Sequence, residues 1–129
     1  MNVVDSSGWL EYFSGTANAE SFSKLIENFD KLIVPSVTLT EVFKRILQQR
    51  DEQSALQAVA HMQQGRVIPL NATIAIKAAR IGYDFKLPLA DSIILATAQL
   101  YQAVLWTQDE DFKNIPGGPL LSKTLTLGP

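Results

Sequence analysis

Carboxylates are the side chains of this sequence best placed to do chemistry, because several of them border apolar runs. Asp5 follows the short apolar start Asn2–Val4, and Asp91 opens the long apolar run through Ile93, Ile94, Leu95 and Ala96. Asp109 lies just beyond the run from Ala103 to Thr107, with Asp111 close behind it. If the runs before Asp5 and Asp109 are strands of a parallel sheet, their carboxyl ends form the edge where ligands bind in such sheets. Asp5, Asp91 and Asp109 then meet at that edge. Crowded carboxylates repel one another and either take up protons or need a cation. The chain has no cysteine and a single histidine, His61. The natural cation is therefore hard and oxygen-loving, magnesium or manganese. Such an ion activates water and stabilises the leaving oxygen in phosphodiester cleavage.

Each carboxylate also has a plainer reading. Asp5, ahead of Ser6-Ser7-Gly8, can cap a helix. Asp91 can act as a partner of the helix dipole in a first turn. Glu41 falls on the polar side of its helix, beside Lys44 and Gln48, as a solvated residue would. Asp109 and Asp111 can form an acidic turn. No single spacing is specific; the set is.

Composition narrows the field. A chain of 129 residues, 47% hydrophobic and 19% charged, is expected to form one globular domain over residues 1–129. No apolar run is long enough to span a bilayer, and no signal segment is visible. The lack of cysteine excludes disulfides, thiol catalysis and thiolate metal sites, and agrees with a cytoplasmic address. A net charge of −2 provides no global field to hold nucleic acid. Action on RNA would need metal ions or a local basic rim, for which Lys44, Arg45, Arg80 and Lys86 are the candidates.

The elements that must position these residues follow from periodicity. Asn2–Val4 reads as a buried strand. A helix carrying Trp9, Leu10, Tyr12 and Phe13 follows and stops at Gly15; a second spans about 18–29, with Phe22, Leu25, Ile26 and Phe29 at helical spacing. Leu32–Val34 is a second strand. Ser36 is a candidate cap for a third helix that sets Leu39, Val42, Phe43, Ile46 and Leu47 on one face. Residues 51–64 form a glutamine-rich fourth helix, Arg66–Leu70 a strand, and Asn71 caps a fifth helix to about Tyr83. Residues 88–102 form a helix that is apolar all round and so belongs in the interior, with Pro88 in its first turn. Ala103–Thr107 is a strand, 116–119 a loop and Leu121–Leu127 an edge strand. Alternating strands and helices imply right-handed crossovers and a parallel sheet covered on both faces.

Four segments, in order, resemble the PIN-domain family: Val3-Val4-Asp5-Ser6-Ser7, Thr38-Leu39-Thr40-Glu41-Val42, Leu87-Pro88-Leu89-Ala90-Asp91-Ser92, and Leu105-Trp106-Thr107-Gln108-Asp109 with Asp111-Phe112. Length, motif order and the Pro116-Gly117-Gly118 segment are similar to the toxin of a VapBC-type toxin–antitoxin pair. The resemblance implies a three-layer α/β/α fold around a mainly parallel sheet of about five strands. It implies an acidic metal site of Asp5, Glu41, Asp91 and Asp109, with Asp111 able to replace or assist Asp109. Ser7 and Thr107 would support that site by hydrogen bonding. It further implies an endoribonuclease dependent on magnesium or manganese and acting on structured RNA such as transfer RNA. A small VapB-like antitoxin and a homodimer are the partners it implies, with Trp9, Tyr12, Phe13 and Phe22 as candidate contacts.

Two other classes compete. A phospho-acceptor receiver domain also has a parallel sheet and an acidic magnesium pocket, but it needs an acceptor Asp after the third strand. Here that strand ends at Pro69-Leu70-Asn71. A PIN-like module that binds RNA or protein without cutting is the other, and the intact Asp5, Glu41 and Asp91 argue against it.

Overall fold

The structure, a computed structural model, describes residues 1–112, 115 and 122–124, the last three by backbone alone. Five strands, β1 (Asn2–Val4), β2 (Leu32–Pro35), β3 (Arg66–Ile68), β4 (Val104–Thr107) and β5 (Ser122–Thr124), form one sheet in the order β3-β2-β1-β4-β5. Every pairing is parallel. The first strand therefore sits at the centre, with β2 on one side and β4 on the other. β5 pairs only with β4, at the edge expected of it, and is shorter than Leu121–Leu127. The 116–119 loop lies outside the described residues.

Among the described residues, six α-helices cover the sheet: α1 (Ser6–Ser14), α2 (Ala19–Ile26), α3 (Ser36–Gln49), α4 (Glu52–Met62), α5 (Ala72–Phe85) and α6 (Leu89–Leu100). Side chains alternate across a strand, and the two halves of the core follow that alternation. Val3 and Ile33 join the residues of α5 and α6, including Ile74, Ile81, Ile94 and Leu95. Val4, Leu32 and Val34 join Trp9, Phe22, Val42, Ala55 and Met62 from α1 to α4. The result is the expected three-layer α/β/α arrangement. Among the described residues, no helix is long and apolar enough to cross a membrane.

Several expectations are corrected in detail. The second helix stops at Ile26, and Phe29–Lys31 forms a separate 3-10 turn. The N-cap of α3 is Pro35; Ser36 lies inside the helix, where its hydroxyl accepts from Leu70 N–H at 3.3 Å. The buried ridge of α3 is Thr38, Val42 and Ile46, while Leu47 is exposed. Pro88 likewise precedes α6 as its N-cap. From Asp91 to Ala98 every residue of α6 is buried, whereas Leu89 and Leu100 at its ends are exposed. Its buried hydroxyls are satisfied by backbone carbonyls one turn earlier: Ser92 donates to Pro88 O at 2.9 Å and Thr97 to Ile93 O at 2.8 Å. Trp9 and Phe22 are wholly buried, so they are core and not a partner surface.

Candidate metal centre

Register explains how the first carboxylate meets the last strand. Val4 lies opposite Trp106 in the parallel pair β1–β4. One step further along, Asp5 stands beside Thr107, and its N–H donates to Trp106 O at 3.2 Å. Thr107, fully buried, donates its hydroxyl to Asp5 Oδ2. The other oxygen, Oδ1, accepts from the Ser7 hydroxyl at 2.7 Å and from Gly8 N–H at 3.0 Å. Asp5 is thus the N-cap of α1, as its plainer reading holds, and it also faces the sheet edge. Burial pushes its pKa up from 3.8 to about 6, against the lowering effect of these hydrogen bonds.

Asp91 enters from the first turn of α6. It is buried, and among the described residues no hydrogen bond reaches its carboxylate. Its pKa rises from 3.8 to about 7, first by burial and then by repulsion from Asp109, Asp5, Glu41 and Asp111. Four other carboxylates therefore lie near enough to Asp91 to disfavour its charge. Oxygens of Asp91, Asp109 and Asp111 lie within 4.8 Å of one another. Asp111, expected to replace or assist Asp109, thus stands together with it beside Asp91. Asp109 is set by two bonds: its N–H donates to the Thr107 hydroxyl at 2.9 Å, and its Oδ1 accepts from Asp111 N–H at 2.9 Å. Thr107 therefore links Asp5 to Asp109. Glu41 comes from the polar side of α3 and accepts from the Ser6 hydroxyl.

The donor set tests which group would fit. Every candidate ligand is an oxygen, most of them anionic, and Asp91 lacks a protein donor although buried. A hard divalent cation satisfies both conditions, and a soft metal satisfies neither.

The four proposed basic residues scatter. Lys44 sits on α3 beside Leu39 and Phe43, and Arg80 pairs with Asp84 at 3.4 Å along α5. Lys86 is the left-handed C-cap of α5, with φ 55°. Arg45 lines a cavity of about 650 Å³ bounded by α1, α3 and α4, which Ser7 and Gln108 join to the acidic edge. Reading the sequence missed Glu11 and Gln108 on that wall; the signal available was an acid set among Trp9, Leu10, Tyr12 and Phe13.

A family model described as PIN domain matches residues 3–118. Among solved structures, the chain is similar to a toxin–antitoxin complex from Klebsiella pneumoniae, at 26% identity, covering 99% of this chain and 98% of that one with a TM-score of 0.76. It shares its fold with the DNA-bound VapBC of Salmonella typhimurium (17% identity, 95% and 96% covered, TM-score 0.74). The same holds for VapC20 of Mycobacterium tuberculosis, a sarcin–ricin-loop-cleaving toxin (16% identity, 88% and 93% covered, TM-score 0.73). No relative is found among curated sequences.

Proposed function

The chain belongs to the PIN domain family, and from that premise we propose that it is a metal-dependent endoribonuclease and the toxin half of a toxin–antitoxin pair. The observation that carries the reading is Asp91: a buried carboxylate with no protein donor, faced by four other carboxylates. Asp5, Asp91, Asp109 and Asp111, with Glu41 beside them, would hold magnesium or manganese. The ion would supply an activated water and positive charge at the leaving oxygen of a phosphodiester.

The chain's own groups set that site up. Ser7 and Gly8 N–H fix one oxygen of Asp5, and Thr107 fixes the other, so this carboxylate cannot rotate away. Ser6 orients Glu41. The reaction is hydrolysis: water adds to phosphorus, the bond to the leaving oxygen breaks, and that oxygen takes a proton. Structured RNA such as transfer RNA is the proposed substrate. The likeness to a toxin–antitoxin complex over 99% of the chain supports a small antitoxin as partner, and a homodimer is the proposed assembly.

Cleavage of total RNA by the purified, partner-free chain tests this, with magnesium or manganese, with chelator, and as Asp91→Asn. The expected result is chelator-sensitive cutting at defined sites that is lost in Asp91→Asn. Equal activity of wild type and variant, or no cutting by the folded, metal-loaded wild type, would overturn it.

A further inference from the structure

Helix α3 brings more than Glu41 to the neighbourhood of the acidic edge. Glu41 accepts from the Ser6 hydroxyl, so the first turn of α1 meets the second turn of α3 at the metal centre. Beyond that contact the two helices flank the cavity of about 650 Å³. Ser7, Leu10 and Ser14 line it from α1 at helical spacing, and Arg45 and Gln49 line it from α3. Arg45 is one turn past Glu41 on the same face of α3, about 6 Å further along its axis. The near end of the cavity is formed by Ser7, which holds Asp5 at 2.7 Å, and by Gln108, joined directly to Asp109. The cavity is therefore continuous with the acidic edge.

Charge sorts its walls. Among the described residues that line it, Glu11 is the only acidic one, and its carboxylate does not face the cavity. Its Oε1 accepts from Gln108 Nε2 at 3.2 Å, and its Oε2 is shut off from solvent. Arg45 and Arg50 are exposed at the rim. Arg50 is offset by the neighbouring Asp51, whose charge it favours. Arg45 makes no ion pair among the described residues. Hydroxyls and amides complete the rim, from Ser14, Thr16, Gln49, Ser54 and Gln57. A free guanidinium among neutral hydrogen-bonding groups suits a phosphate. The rise from Glu41 to Arg45 is close to the spacing of neighbouring phosphates along an extended strand. With one phosphate at the metal, the next comes within reach of Arg45.

We propose that an RNA strand leaves the metal centre through this cavity, and that Arg45 binds the phosphate next to the one at the metal. The proposal rests on the ribonuclease reading and gives that site its substrate path. It separates Arg45 from the other basic residues: Lys44 faces a different groove with Leu39, Phe43 and Leu47, and Arg80 is paired with Asp84.

Anisotropy of a fluorescent RNA octamer of mixed sequence, titrated with the full chain at several salt concentrations in saturating calcium, reads binding apart from cleavage. Arg45→Ala, at an exposed helical position, should fold as the wild type does and bind the octamer severalfold more weakly. Its slope of log affinity against log salt should be shallower by about 0.7, the share of one phosphate on a single strand. Arg45→Lys should keep most of the slope, and Arg80→Ala should match the wild type. A single neutral methylphosphonate, placed in turn at each linkage of an RNA that the chain cuts, reads position. At one of the two linkages adjoining the cut it should weaken the wild type as much as Arg45→Ala does, and the two changes together should cost no more than either alone. An unchanged salt slope in Arg45→Ala, or losses that add to it at every linkage, would overturn the proposal, and metal-dependent cutting would then leave the nuclease standing. A shallower slope in a chain that cuts no RNA would uphold the strand path and remove the nuclease. No binding of the octamer, with Arg45-dependent binding of a polyglutamate peptide instead, would give the cavity to a protein and overturn the proposal.

Discussion

Protons and metal compete for Asp91. Its folded pKa of about 7, and that of Asp5 at about 6, both lie above the ordinary 3.8. Between those values the folded chain holds more protons than the unfolded one, so stability falls as pH rises through this window. Without metal, the melting temperature should be higher at about pH 5 than at about pH 8 by several degrees in calorimetry. Saturating manganese or magnesium should restore the value at the higher pH, and Asp91→Asn should flatten the slope. A metal-free melting temperature that climbs over this range would contradict the assignment. Thr107 offers a second test, since its hydroxyl donates to Asp5 and accepts from Asp109 N–H. Thr107→Val leaves the buried Asp5 carboxylate and the half-buried Asp109 N–H short of a partner at little change in shape. It should cost about 1–3 kcal/mol in urea unfolding and weaken manganese binding in calorimetry.

At the scale of elements, α1 is pinned by the closeness of its first turn to the sheet. A Cβ on Gly8 would stand 2.6 Å from both Phe22 Cε1 and Val4 Cγ1. Gly8→Ala should therefore cost about 1–3 kcal/mol by overpacking. Because Gly8 N–H also holds Asp5, the variant should lose metal affinity as well. Gly15, at φ 68°, ends the helix in the left-handed region. Much of this was legible in advance. The charge-free run after Asp91 marks α6 as interior, and Asp5 and Asp109 follow their strands because a parallel sheet puts strand ends on one edge. Glu41 was legible only by resemblance: a helical wheel sorts it with the solvated residues, and what draws it inward is Ser6, far off in sequence. The Asn18–Gln108–Glu11 chain was hidden for the same reason, since Gln108 lies far in sequence from the other two. The break between α2 and the Phe29–Lys31 turn is a local backbone choice that spacing of apolar residues does not register.

For the molecule as a whole, the two apolar clusters share the sheet, so a defect on one face should spread to the site that both faces support. Ile94, fully buried beneath the sheet on α6, is the test. Ile94→Ala should cost about 2–5 kcal/mol in denaturant. Sheet order itself carries no sequence signal, since any apolar strand can lie beside any other, yet it decides when the acidic edge can exist. β1 lies between β2 and β4, so Asn2 finds its second neighbour only at Val104. At a synthesis rate of about 5–20 residues per second, Asp5 waits roughly 5–20 s for Thr107 and Asp109. A chain still being made therefore carries a half-flanked central strand and an incomplete set of carboxylates. Whatever chemistry the edge performs can begin only after Thr107 and Asp109 have joined Asp5 there.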